Sequence, residues 1–191
     1  MSGGFVGLIV IVVIAAVFGF AAIAIYNKLV SFKQQTEEGW SGIDVALKQR
    51  ANLIPNLVAT VKGYVTHERD LLESITEARA RAERAGAKGS SEDRMAAEGD
   101  MSAGLLRLFA VAENYPDLKA NQNFIQLQTS LEEIEGHIQM ARRYYNGTVR
   151  NLNTLIGQFP SNIVAGLFGF RAANYFEIED PKDRALPEVK F

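Results

Sequence analysis

Two histidines, His67 and His137, are the side chains of this sequence best suited to hold a metal or move a proton near neutral pH. Helical bundles build di-metal centres from Glu-x-x-His pairs, with a carboxylate three residues before each imidazole. Those positions are Tyr64 and Ile134, so neither histidine belongs to such a pair. Glu133 lies four residues before His137 and shares a helix face with it, but one pair alone reads as a surface contact. There is no Cys, hence no thiolate nucleophile, disulfide frame or sulfur metal site. That suits a reducing compartment. No P-loop and no Gly-x-Gly-x-x-Gly after a strand occurs. The Ser and Thr residues near a His form no nucleophile constellation. Asn146-Gly147-Thr148 matches a glycosylation acceptor, but it falls inside a core helix pattern. The reading is a chain that is not an enzyme, with no cofactor and no metal.

Other polar groups point to contacts rather than reactions. Arg142 and Arg143 with Tyr144 could hold a partner's carboxylate or stack on an aromatic ring, the alternative being an ordinary solvated face. Asn52 and Asn56 flank Pro55 and could satisfy the carbonyls that the proline frees, or form a register-setting polar interface. The chain carries 20 Lys+Arg and 22 Asp+Glu, net −2, with both signs interspersed. Nucleic acid would need a clustered basic face, so it is not expected as a partner.

The elements that position these residues begin with a membrane segment. No charge occurs before Lys28, and every residue from Phe5 to Ile25 is apolar or Gly. As a helix that run spans roughly 31 Å, about the thickness of a bilayer core. Ala22-Ile23-Ala24 has the look of a signal cleavage site, but the run is too long and lacks a positive n-region. Small residues recur at Gly3, Gly7, Ala15, Gly19 and Ala22, a pattern that lets membrane helices approach closely. Gly7, Ala15, Gly19 and Ala22 are therefore candidate oligomer contacts. Lys28 and Lys33 follow the run, which favours an outer N-terminus and a cytoplasmic bundle.

Beyond the anchor, apolar residues recur at helical spacing. One seam runs Phe124, Leu127, Leu131, Ile134, Ile138, Ala141, Tyr145, Thr148, Leu152, Leu155, Phe159. Another runs Trp40, Ile43, Leu47, Ala51, Ile54, Val58, Val61, passing Pro55, where a kink near Ala51 is expected. Gly63 offers a stop and Thr66 an N-cap. Ala78 to Gly104 lacks Val, Ile, Leu, Phe, Trp and Tyr, and reads as a thin helical hairpin with a mobile loop around Gly86–Ser91. Helix lengths close only if the chain breaks near Gly63. The expected fold is all-α: an N-terminal transmembrane helix followed by an antiparallel up-down four-helix bundle. Residues 1–26 are the anchor and 27–170 the bundle, with a distal hairpin at about 66–113. A short apolar helix at 161–170, capped by Ser161, carries Ile163, Val164, Leu167, Phe168 and Phe170 with no charge between Gln158 and Arg171. These residues are candidate membrane or oligomer contacts. Residues 171–191 read as an extended tail, pinned by Tyr175, Phe176, Ile178, Leu186, Val189 and Phe191.

The stretches Tyr26-Asn27-Lys28-Leu29-Val30, Ala51-Asn52-Leu53-Ile54-Pro55-Asn56-Leu57-Val58, Lys62-Gly63-Tyr64 and Tyr115-Pro116-Asp117-Leu118-Lys119-Ala120-Asn121 resemble the LemA family. Arg143-Tyr144-Tyr145-Asn146 and Phe159-Pro160-Ser161-Asn162-Ile163-Val164-Ala165 complete the match, which covers nearly the whole chain. The resemblance implies a bacterial single-pass membrane protein with a cytoplasmic-type helical bundle and no catalytic residues to carry over. One branch of similar proteins acts in shaping magnetosome membranes, so membrane organisation is a theme by analogy.

The expected function is a membrane-anchored structural protein that self-associates and organises or remodels the membrane. Its partners are the lipid bilayer and further copies of itself. The alternative is a tethered adaptor that presents the distal hairpin to a protein partner, such as a protease or envelope-stress component. Its expected place is the bacterial inner or cell membrane.

Overall fold

The computed structural model describes residues 2–65, 67–88 and 91–176. The described residues form helices and connecting turns. Helix α1 (Ser2–Lys62) is followed by α2 (Arg69–Lys88), α3 (Ser91–Ala112), α4 (Pro116–Lys119), α5 (Gln122–Gly157) and α6 (Ser161–Leu167). Two compact units result. One comprises α1 up to Ile43 and α5 from Ala141, with the chain on to Tyr175; the other runs from Asp44 to Met140 and includes Phe176.

In the second unit, four helix segments share one core. Ile54, Leu57 and Val61 of α1 meet Leu72 and Ile75 of α2, Met101 and Leu108 of α3, and Phe124 and Leu131 of α5. Helices α2 and α3 run antiparallel, since contacts climb on one as they fall on the other. Ile75 faces Gly104, Arg81 bonds Asp100, and Arg94 lies against Gly86. Ala78, Ala82, Ala85 and Ala97 are buried between them, which makes this hairpin thin. A Cβ on Gly104 would sit 2.8 Å from Ile75 Cγ1, so this crossing needs glycine.

Pro55 does not end α1, which continues to Lys62. The proline lacks the N–H that would bond the Ala51 carbonyl. Arg79 of α2 supplies the donor instead, its Nε 2.8 Å from Ala51 O. Asn52 and Asn56, expected to fill that role, are exposed. Polar ties fix the far connections. Tyr115 Oη donates to Glu68 (3.1 Å), and the Asn121 amide donates to Tyr64 Oη (2.8 Å). Asn121 Oδ1 also accepts from the Phe124 N–H, capping α5.

In the first unit, α1 and α5 are antiparallel: Leu29 packs with Leu152, and the Trp40 ring lies 5.5 Å from that of Tyr145.

The helix count corrects the four-helix expectation: among the described residues five helices follow α1. The unforeseen one is α4, a single turn built on Pro116, with Leu118 fully buried beneath it. The hairpin helices also run further than expected, α2 through Gly86 to Lys88, and α3 from Ser91. The Thr66 cap, the loop at Gly89-Ser90, and the tail residues Ile178, Leu186, Val189 and Phe191 lie outside the described residues.

Candidate membrane-proximal site

Among the described residues, α1 alone is long and apolar enough to cross a membrane. Its apolar side chains are exposed, Phe18 at 71% and Phe20 at 75%. Gly7 and Gly19 have open space where a Cβ would stand, and Ala15 is exposed. Gly3 lies outside the described side chains. Ala22 is different: together with Ile25 and Phe32 it packs against the chain's own cluster of Leu29, Leu152, Val164 and Ala165.

That cluster docks α6 at the end of the apolar run. Ser161 does not cap α6, as expected, but ends α5. Its hydroxyl bonds the carbonyls of Leu155 (2.6 Å), in the last turn of α5, and Gln158 (2.9 Å), just past it. Helix α6 stops at Leu167 rather than 170 because Gly169 takes a left-handed φ of +72°. The Phe170 N–H then bonds Ala165 O (2.9 Å) and the Gly169 N–H bonds Gly166 O (3.3 Å), the paired closure of a glycine-terminated helix.

The result is two-faced. Val164 and Ala165 point inward, while Ile163 (60%), Leu167 (79%) and Phe168 (57%) are exposed. Phe170 is half-buried against the cluster. Phe159, expected to close the α5 seam, lies past the helix end and is 78% exposed, adding to the apolar face. The Tyr26 ring lies 4.7 Å from Phe168 and 5.8 Å from Phe170, so the segment after α6 is held on the first turn past Ile25. The strand-like chain beyond is stitched to α5. Asn153 exchanges two bonds with the Ala173 backbone, both 2.9 Å, and Tyr145 Oη donates to Asn174 O at 2.8 Å. Burial raises the Tyr145 phenol above its ordinary value, which keeps it a donor.

These contacts enclose a cleft of about 590 Å³ beside α1. Tyr26, Lys33 and Glu37 line it from α1, and Phe168, Phe170 and Arg171 from the segment after α6. Tyr26, Lys33 and Arg171 were not among the contacts expected from the sequence. The available signal was positional: Lys33 and Arg171 are among the first charges after the two uncharged apolar runs.

The proposed partner contacts diverge. Arg142 is half-buried and engaged within the chain, Arg143 is exposed, and Tyr144 is half-exposed beside Gly39.

The other unit holds a buried ionic cluster that the apolar periodicity does not reveal. Arg50, 2% exposed, bonds Glu98 Oε2 (2.5 Å), Glu135 Oε2 (2.8 Å) and Ser102 Oγ (2.8 Å). Beside it, Arg94 pairs with Asp44 (2.6 Å), which also holds Lys48 (2.7 Å). Burial raises the Glu98 carboxyl above its ordinary value, outweighing the pull of Arg50. Burial pushes Asp44 up too, but Lys48 and Arg94 together outweigh it and hold the group low. Among the described residues no group of three or more His, Cys, Asp or Glu could hold a metal.

A membrane-length helix that continues into an all-α bundle defines a class of membrane-associated helical proteins. The family model of the LemA family matches residues 39–191. The chain belongs to the LemA family. It is 26% identical to magnetosome protein MamQ 2 of Paramagnetospirillum magneticum, over 94% of this chain and 75% of that protein. It is 22% identical to magnetosome protein MamQ of Magnetospirillum gryphiswaldense, over 84% and 68%. Protein LemA of Metamycoplasma hominis is 27% identical over 78% of this chain and 67% of its own length.

Proposed function

We propose that this protein is a structural component of a bacterial cell membrane that self-associates and organises or remodels the bilayer around its anchor. The observation that carries the reading is the exposed apolar face of α6, with Phe159, docked at the end of the membrane-length run. If Phe5–Ile25 spans the bilayer, this face meets the lipid interface as an amphipathic element, and several such side chains supply a few kcal/mol at roughly 25 cal/mol per Å². The magnetosome relatives support the theme by analogy. Helices α1, α2, α3 and α5 are read as an up-down-up-down array with α4 a connector, and the small residues Gly7, Ala15 and Gly19 as the self-association face.

The chain lacks Cys, so one introduced thiol can be labelled cleanly. In proteoliposomes, an environment-sensitive dye on Leu167→Cys is expected to shift to the blue and be quenched by nitroxide lipids, whereas the same dye on Arg143→Cys is not. A dye on residue 167 that reports water would sink the reading. Lys28 and Lys33, following the apolar run, favour a bundle on the cytoplasmic side. A thiol at Lys88 should then resist an impermeant reagent until the inner membrane is opened, and labelling in intact cells would reverse the orientation.

A second reading, an adaptor that offers the α2–α3 hairpin to a protein partner, is favoured by Leu106, 72% exposed on α3. Assembly size separates the two: a scaffold forms large self-complexes in mild detergent, and an adaptor stays small until its partner is added.

A further inference from the structure

We propose that the cleft between α1 and the segment after α6 is a binding site for the phosphate headgroup of an anionic phospholipid. The inference rests on the membrane reading above and goes beyond it by naming a ligand and the side chains that select it.

Three observations converge on that ligand. The first is position. Lys33 lies eight residues past Ile25, about 12 Å along the helix axis. Helical side chains lean toward the N-terminus, here back toward the bilayer. The headgroup layer is about 5–8 Å deep on each side of the hydrocarbon, so an ammonium on this stem reaches phosphate level.

The second is composition. The cleft is apolar on its membrane side, through Tyr26 and Phe168, and charged beyond, through Lys33 and Arg171. An aromatic floor beneath two cations matches a lipid at its glycerol and phosphate: the rings cover the upper acyl chain while the cations take the phosphate oxygens. Arg171 is exposed, so its planar fork remains accessible to oxygens in the cleft. Glu37 also lines the cleft and stands 3.8 Å from Lys33. Its carboxylate lowers the total charge to a single positive, which suits one phosphate without a second anionic group.

The third is rigidity. The Asn153 clamp on Ala173 and the left-handed turn at Gly169 fix the backbone on both sides of Arg171. The charge is thus presented from an ordered segment, which lowers the ordering cost of binding.

The test uses the full chain, delipidated in neutral detergent and titrated with phosphatidylglycerol or phosphatidylcholine under native mass spectrometry. Phosphatidylglycerol is expected to bind in preference to phosphatidylcholine. At the strength of a basic side chain near a membrane surface, Lys33→Gln or Arg171→Gln should each weaken it about fivefold, and the pair about thirtyfold. Lys33→Arg should retain the preference. Equal binding of the two lipids, or a preference that survives the double substitution, overturns the proposal. So does displacement of the lipid by millimolar glycerol 3-phosphate, which would make the occupant a soluble phosphate ester. The label on residue 167 separates the layers. If it reports lipid while no headgroup preference exists, only the headgroup site fails; if it reports water, the interface fails and the site with it.

Discussion

Replacing Arg50 by Met tests the most concentrated electrostatic feature of the molecule. Arg50 and Glu98 are each 2% exposed, and their 2.5 Å pair is supported by Ser102 and Glu135. Methionine keeps the apolar stem and removes the charge, leaving Glu98 buried without its main partner. Breaking a buried pair on one side costs about 3–5 kcal/mol. For a chain of this length that is roughly 6–20 °C in melting temperature. The assay is thermal unfolding of the full chain in detergent, followed by far-ultraviolet circular dichroism. Arg50→Met with Glu98→Met should recover most of the loss, because well-packed apolar replacements of buried pairs are often neutral or stabilising. Glu135 is part-exposed and can be solvated once Arg50 is gone.

The pH dependence has a defined sign. Glu98 has a folded pKa above its unfolded value, so its contribution is fully present below the unfolded value and is lost as pH rises through the folded one. Removing Arg50 takes away the strongest influence holding that value down, so the gap between wild type and Arg50→Met should widen as pH rises. Glu98→Gln should abolish the widening. Asp44 works oppositely: its folded pKa is depressed, and its stability is lost only as pH falls through that value. The comparison therefore belongs above about pH 5, where Asp44 is ionised in both states. A melting temperature within about 2 °C of wild type at every pH would refute the reasoning, since an isolated buried carboxylate cannot be that cheap.

Gly104→Ala should destabilise by about 1–2 kcal/mol although alanine favours helix by about 1 kcal/mol, because its methyl collides with Ile75 Cγ1. Denaturant melts of Gly104→Ala, Ile75→Ala and the double variant should show the double losing less than the sum of the singles. Gly19→Leu meets no atom of its own chain, so helix content should hold while the assembly in mild detergent shrinks or becomes heterogeneous. An unchanged assembly on size-exclusion chromatography with light scattering would move the self-contact away from this face.

Long seams were legible because burial repeats every three or four residues. Ile43, Leu47, Ala51, Ile54 and Val61 are buried as their spacing predicts, and so are Phe124, Leu131, Ile138 and Tyr145. The same stretch admits a second path, Ile43, Leu47, Arg50, Ile54, Leu57, Val61, in perfect four-three alternation. A charged residue in a core slot reads locally as a solvated one, and its partners lie 48 and 85 residues away. Nothing local could reveal them. The rescue of the Ala51 carbonyl by Arg79 escaped for the same reason, since helix propensities say only that Pro55 frees an acceptor. At α6 the apolar residues were visible but their sorting was not. Val164 and Ala165 turn inward only because α5 ends at Gly157 and Ser161 folds back on its last carbonyls.

The buried arginine gains meaning from the helices it joins. Among the described residues from Ala78 to Ala97 the buried apolar seam between α2 and α3 is alanine, and an alanine seam distinguishes poorly between one register and the next. Small side chains leave shallow ridges, so a slip by one turn forfeits little packing. The ionic groups do not tolerate such a slip. Arg50 reaches α3 at Glu98 and Ser102 and α5 at Glu135, while Arg94 reaches back to Asp44 on α1. A one-turn shift of α3, about 5.4 Å, would strand both arginines in the core. The hypothesis is that this cluster contributes specificity where apolar packing contributes little, a use of buried charge attested in some proteins and absent in others. The Arg50→Met, Glu98→Met variant separates the two roles. If the cluster sets register, that variant keeps its melting temperature but loses a single set of amide resonances in the α2–α3 segment. If the resonances stay unique, the alanine seam and the close contact of Gly104 with Ile75 suffice to hold the hairpin in place.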